Sequence, residues 1–94
     1  MMHLLVVTAS LRAPWCTSLK DKRSVVKPLV QKIRQQFNVS ANESGHQDSH
    51  TMMEITIAGL SFDTASGDSL NEALYGFIQR NTQAEIIAWD AEYR

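Results

Sequence analysis

Three side chains that could bind a metal ion alternate in one short polar segment. His46, Asp48 and His50 lie two residues apart, and imidazole nitrogens and carboxylates are ligands of zinc and other divalent cations. Three ligands on one loop form a preorganised site only if a further group completes it. A polar loop exposed to solvent is the better interpretation, so we expect no metal site and no cofactor.

The single cysteine, Cys16, lies close in sequence to Lys20, Lys22 and Arg23. Positive charge lowers the pKa of a thiol and makes the reactive thiolate more available. A nucleophilic site also needs a general base, and no local motif places one. The chain has neither a phosphate-binding glycine loop nor a GxSxG segment. We therefore expect an unreactive loop thiol and a protein that is not an enzyme.

Cationic residues line one side of the first amphipathic segment. If this segment is a helix, each residue is rotated by about 100° from the one before it. One narrow arc, roughly 120° from the centre of the apolar side of the helix, then contains Lys20, Arg23, Lys27, Gln31 and Arg34. Cations in such a row could neutralise RNA phosphates and release their counterions. The predicted RNA- or partner-binding residues are Arg12, Lys20, Arg23, Lys27, Lys32 and Arg34. The alternative is a charged helix surface that is only solvated.

The net charge of −1 conceals a strong division along the chain. Residues 1–42 contain seven cations and one acid, a net charge of +6, whereas residues 43–94 contain two cations and nine acids, a net charge of −7. Such an asymmetry bears on partner binding more than the whole-chain value does. RNA-binding sheets of this size stack bases on aromatic residues of their central strands, but Glu54 and Thr56 stand there instead. RNA is therefore expected at the helix or the loops.

Four segments have the character of strands. Residues 2–11 form a short apolar run, and polar and apolar residues alternate at 38–43, 51–62 and 85–93. Which side of the sheet is exposed stays open. Two groups of apolar side chains each share one face of a strand: Ile87, Trp89 and Tyr93 in the last strand, and Leu4 and Val6 in the first. These side chains either belong to the core or form an exposed apolar patch. An exposed patch would favour pairing of two copies.

The first helix is predicted by apolar residues at three- and four-residue intervals, namely Val26, Leu29, Val30, Ile33 and Phe37. Ser18 followed by Asp21 has the spacing of a capping box. Pro28 would remove a hydrogen bond inside this helix. We therefore expect the helix to begin nearer Ser24 or to bend at the proline.

The second helix has a compact apolar stripe made of Leu70, Ala73, Leu74, Phe77 and Ile78. It follows a turn-rich connection at 63–68, and Ser69 with Glu72 predicts its capping box. The element order is then βαββαβ. Right-handed crossovers turn this order into one ferredoxin-like α+β domain over residues 1–94, a four-stranded antiparallel sheet with two helices on one face.

Cysteine usage and hydropathy favour the cytoplasm. A small secreted domain normally needs several disulfides, and one cysteine cannot form an internal bridge. The apolar start at residues 4–7 is too short for the core of a signal peptide. No apolar run approaches the roughly 20 residues that span a bilayer. We expect a cytoplasmic protein with no membrane partner.

Two segments of the sequence resemble those of a known family. The segment LRAPWCTSLKDKRSVVKPLVQKIRQQFNVS, followed by ESGHQD, resembles the YlxP-like family of uncharacterised bacterial proteins, which form a domain of unknown function. Members have SLKDKR or SLKEKR after a leucine-and-proline segment, a helix ending in RFNVS, a Glu and a loop like HQD. The chain departs from this pattern at Ala13, Pro28 and His50. The matching positions here are Leu11, Pro14, 18–23, 37–40, Glu43 and 46–48.

The resemblance implies a ferredoxin-like fold and a genomic setting, but no functional residues. In many bacteria the genes of this family lie beside those of translation-initiation and ribosome-maturation factors. We therefore expect a non-enzymatic binding protein that associates with RNA or the ribosome through its basic first helix. The alternative is a homo-oligomeric protein-interaction module, such as a homodimer, with no role in nucleic-acid binding.

Overall fold

Six regular elements follow one another in the order that the hydrophobic periodicity predicts. The computed structural model describes all of residues 1–94. The elements are β1 (His3–Arg12), α1 (Leu19–Gln36), β2 (Ser40–Gly45), β3 (Met52–Ser61), α2 (Thr64–Asn81) and β4 (Glu85–Tyr93). All strand pairs are antiparallel, in the order β2-β3-β1-β4. The expected ferredoxin-like α+β fold is confirmed. Neither helix is long and apolar enough to cross a membrane.

The two central strands bury alternate residues against the helices. In β1 the buried side chains are Leu5, Val7, Ala9 and Leu11, and in β3 they include Met53, Ile55 and Ile57. Burial of about 25 cal/mol for each Å² of apolar surface makes this layer the main source of stability. The other side of the sheet, called the open face below, is covered by neither helix.

The pairing of β4 with β1 decides which aromatic residues lie on the open face. Tyr93 pairs with Leu5 and Trp89 pairs with Ala9, so both aromatic residues lie on the helix side. Trp89 donates a hydrogen bond from Nε1 to Asn71 Oδ1 in α2 at 2.8 Å. Exposure of Trp89 and Tyr93 on the open face, one of the two alternatives left by the sequence, is therefore wrong. The pairing shifts by one residue in β4, because Ser10 pairs with Ala88 whereas Leu11 pairs with Ile86. Ile87 therefore has no partner in β1 and does not follow the alternation of Trp89 and Tyr93.

Helix α1 begins at the predicted cap and continues through its proline. Ser18 Oγ accepts a hydrogen bond from the Asp21 N–H at 3.0 Å, as in a capping box. Pro28 lies inside the helix, so a start nearer Ser24 is wrong. The missing N–H is tolerated because the surrounding turns bury the apolar side chains Val26, Leu29, Val30 and Ile33.

Helix α2 begins earlier than the sequence suggests. Its N-cap is Asp63, whose Oδ1 accepts a hydrogen bond from the Ser66 N–H at 2.8 Å. The capping box expected at Ser69 and Glu72 is wrong, because both residues lie inside the helix. The extra turn contains Gly67, which is buried beneath the ring of Tyr93.

Candidate functional site

The outer side of α1 carries three cationic side chains that contact no carboxylate. Lys20, Arg23 and Lys27 are exposed, and the ion pairs of the structure involve other cations. The one acid of this helix, Asp21, accepts hydrogen bonds from the Thr17 hydroxyl and N–H at 2.7 and 3.0 Å, which hold its pKa below the ordinary value. The three cations, called the α1 cationic surface below, are therefore available to an external anion.

Arg34 belongs to the same arc of the helix but is bound to the neighbouring strand. Its Nε and Nη2 donate to the Ala41 carbonyl at 2.9 and 2.6 Å. Nη2 also donates to Asn42 Oδ1 at 2.7 Å. The guanidinium plane is thus fixed against β2, which gives Arg34 a second role that the sequence did not indicate.

A groove runs between α1 and β2 beside the α1 cationic surface. Its volume is about 470 Å³, and α1 contributes to its wall Val26, Lys27, Val30, Gln31 and Arg34. On the strand side it is lined by Asn42 and Glu43. A second hollow of about 230 Å³ shares Glu43 and includes Arg23 and Gln47. Glu43 therefore lines both hollows, and each hollow also has a cation of the helix in its lining.

Lys22 does not join the cations on the surface, because its side chain is only 2% exposed. Its Nζ donates to the carbonyls of His46 and Met52 at 2.6 and 3.2 Å and lies 3.5 Å from Glu43 Oε2. The sequence contained this signal, since Lys22 precedes Val26 by four residues and so falls within the apolar stripe. The ammonium group connects α1 to β2 and to the following loop.

The loop between β2 and β3 is shaped by backbone geometry and by this lysine. His46 has a φ of 57°, in the left-handed region, and its carbonyl faces Lys22 Nζ. His46, Asp48 and His50 do not come together, and no group of three potential metal ligands exists in the structure. The loop therefore serves as the binding partner of Lys22.

Cys16 is buried in the core and is 4% exposed. Burial raises the pKa of its thiol, and the nearby Asp21 carboxylate raises it further, against a smaller opposing effect of Lys22. The net shift of the thiol pKa is therefore opposite to the lowering suggested by the neighbouring cations, although Lys22 acts in that direction. Cys16 acts as a small apolar side chain of the core.

The open face of the sheet has the opposite charge to α1. Glu54, Asp90 and Glu92 lie there, paired across the strands with Ser10, Thr8 and Val6 respectively. Central strands β1 and β3 present no aromatic side chain on this face. The carboxylates of Glu54 and Asp90 would repel phosphate groups, whereas Glu92 forms an ion pair with Arg94, and the central strands offer no aromatic stacking surface.

The structure separates two of the six predicted binding residues from the rest. Arg12 ends β1 and forms an exposed ion pair with Glu85, at 3.3 Å. Lys32 lines a different hollow, beside Trp15 and the end of α2. Lys20, Arg23, Lys27 and Arg34 do share one side of α1, so the coherent part of the candidate site is this helix face with the adjoining groove.

These features define a small ferredoxin-like α+β domain with a cationic helix on one side and an acidic sheet on the other. The chain belongs to the DUF503 family, whose model, described as a protein of unknown function, matches residues 4–91. It is similar to the "Uncharacterized protein YlxP" of Bacillus subtilis (strain 168), with 31% identity over 68 residues, or 72% of this chain and 74% of that protein. The YlxP-like resemblance is confirmed, and neither comparison indicates a catalytic activity.

Proposed function

We propose that this protein binds RNA through the α1 cationic surface and acts, without catalysis, in translation or ribosome maturation. The observation that carries the proposal is the set of three exposed cations, Lys20, Arg23 and Lys27, that have no carboxylate partner. The genomic setting of YlxP-like proteins supports the choice of RNA as the anion. The acidic open face supports a contact on the helix side of the molecule.

The spacing of the three cations suits a polyanion that runs along the helix. A rise of about 1.5 Å per residue places Arg23 roughly 4.5 Å beyond Lys20, and Lys27 roughly 6 Å beyond Arg23. All three project from one arc, so successive phosphates of one strand can each meet a cation. A single small anion would use only part of this row.

Salt dependence measures the number of phosphates that the protein neutralises. Three contacts to single-stranded RNA give a slope of log K against log salt concentration of about −2. Binding should then weaken roughly 20-fold between about 50 and 200 mM salt. This can be measured by fluorescence anisotropy with a labelled single-stranded RNA of mixed sequence.

Two charge-reversal variants on the same helix distinguish RNA binding at the α1 cationic surface from a general effect of the protein's net charge. Lys27→Glu should weaken binding and reduce the magnitude of the salt slope by about 0.7. Lys32→Glu changes the net charge equally, but Lys32 lies outside the α1 cationic surface. It should therefore have a much smaller effect. Equal losses in the two variants, or a slope near zero for the unchanged protein, would contradict the proposal.

A second candidate function is self-association through one end of the open face. Leu60 and Phe62 are 65% and 77% exposed, and Leu60 pairs across the sheet with Leu4. Exposed apolar groups of this size favour an interface. Mass measured over a dilution series should then show a dimer that dissociates, and Phe62→Ser should shift dissociation to higher concentration. A monomer at every concentration would exclude this function.

A further inference from the structure

We propose that the groove between α1 and β2 binds one base of the RNA strand, and that this base is guanine. The inference rests on the proposed RNA binding, and it adds base preference to a contact that phosphates alone would make independent of sequence. It depends on three properties of the groove: its apolar floor, a fixed guanidinium plane and a carboxylate with unused acceptor capacity.

The dimensions and the floor of the groove suit a flat ring. Its volume of about 470 Å³ lies within the range of small-molecule sites. Val26 and Val30 contribute apolar surface, and both are buried parts of the core, so they cannot move away. Polar groups surround this floor, as expected for a site that orients a ligand of mixed polarity.

Arg34 provides the surface on which a base can stack. Its three hydrogen bonds to Ala41 and Asn42 hold the guanidinium plane in place before any ligand arrives. Bases splayed out of a single strand stack on arginine planes as well as on aromatic rings. Because the side chain is already ordered, stacking costs little additional conformational entropy.

Glu43 determines which base fits. Its Oε2 is shielded from solvent and faces Lys22 Nζ at 3.5 Å, so Oε1 is the oxygen that a ligand in the groove can reach. The carboxylate, 24% exposed, lines both hollows and can only accept hydrogen bonds. Guanine presents two neighbouring donors, N1–H and N2–H, which can share the accessible Oε1. Adenine and cytosine place an acceptor beside their amino group, and uracil has one donor between two acceptors, so a carboxylate favours guanine.

Two amide side chains and the cations complete the arrangement. Asn42 uses Oδ1 for Arg34, which leaves its NH₂ group to donate toward the acceptors of guanine, and Gln31 lines the α1 side of the groove. Lys27 borders this groove and Arg23 borders the adjoining hollow. A base in the groove therefore brings the phosphates on either side of it to the α1 cationic surface.

The test compares RNA hexamers that differ in one base. Labelled UUUGUU, UUUAUU, UUUCUU and UUUUUU carry the same phosphates, so the salt slope should be the same for all four. UUUGUU should bind about tenfold more tightly than UUUUUU, which is near the lower end of the range for specific base contacts. Equal affinities with a normal salt slope would overturn the base site but leave the proposed function intact. Absence of binding to every hexamer would overturn both.

Two variants should affect different quantities. Glu43→Gln replaces one acceptor oxygen by an amide group while keeping an oxygen for Lys22, and it should reduce the preference for UUUGUU to about one. Lys27→Glu should weaken binding of all four hexamers by a similar factor. Asn42 is exposed, and Asn42→Ala should also reduce the preference for UUUGUU. This variant provides a second test if Glu43→Gln impairs folding. A preference that survives both groove variants would overturn the inference.

An acidic polypeptide is the other polymer that a cationic groove could bind. Hexaglutamate is therefore added as an unlabelled competitor against UUUGUU. Little displacement is expected at a concentration that suffices for unlabelled UUUGUU. Displacement by hexaglutamate at that same concentration would assign the groove to an acidic peptide and overturn the guanine site.

Discussion

Replacement of Lys22 by methionine should severely destabilise the fold, although the new side chain is apolar and of similar length. The ammonium group is the partner of two carbonyls, those of His46 and Met52, and of the Glu43 carboxylate. Lys22→Met leaves the carboxylate oxygen buried without its counter-charge. Loss of one member of a buried ion pair costs about 3 to 5 kcal/mol. A chain of this length has a free energy of unfolding of only about 5 to 14 kcal/mol.

Urea denaturation followed by far-ultraviolet circular dichroism provides the assay. With a slope of ~1.5 kcal/mol per M, the midpoint should fall by about 2 to 3 M. Lys20→Met, an exposed position in the same turn, is the matched control and should change stability by less than about 0.5 kcal/mol. The double variant Lys22→Met with Glu43→Leu removes both charges and should recover about half of the loss.

Two results would refute this reasoning. A loss below about 1 kcal/mol for Lys22→Met would mean that the ammonium group does not hold the loop and the strand together. The losses of stability in Lys22→Met and in Glu43→Leu alone are measured for comparison. If the loss in the double variant equals their sum, Lys22 and Glu43 act independently, since coupled neighbours depart from additivity.

Two further predictions concern the contact between β4 and α2. The hydrogen bond from Tyr93 to Asp68 raises the pKa of Tyr93 to about 12. A raised folded-state pKa stabilises the fold below the ordinary value of 10.0, and this contribution disappears as pH rises toward 12. Ultraviolet absorbance should show a late tyrosine ionisation that Tyr93→Phe removes, and its persistence in that variant would contradict the assignment. Gly67→Ala should lower stability by about 1 to 3 kcal/mol, because the added methyl group would collide with the Tyr93 ring. Thermal unfolding measures the loss, and an unchanged midpoint would show that the ring moves freely.

Periodicity was sufficient for the architecture because each element buries a recognisable stripe. Strand β1 was recognisable as an apolar run and β3 by its alternation, and the interval pattern of α1 identified its buried face. Element ends were harder to predict. Asp63 rather than Ser69 caps α2. Either residue type is a good N-cap, so residue type does not decide between them. The earlier turn contacts Tyr93, whose hydroxyl donates to the Thr64 carbonyl and to Asp68.

The candidate site was predictable only as an arc of charge. Helical geometry correctly grouped Lys20, Arg23, Lys27 and Arg34 on one side of α1, but it could not show that Arg34 binds the Ala41 carbonyl. That contact depends on where β2 lies relative to the helix. The groove was missed for the same reason, because it exists between two elements that are adjacent in space.

The hydrogen bonds of Arg34 also have a consequence for strand pairing. Strand β2 forms one edge of the sheet, and its Ala41 carbonyl is occupied by the guanidinium group. Exposed edge strands are templates on which another chain can extend a sheet, and proteins commonly block them with charged side chains. An incoming strand would have to displace Arg34 and place its own backbone beside that charge. Growth of the sheet into intermolecular aggregates is thus opposed at this edge by the residue that also shapes the groove.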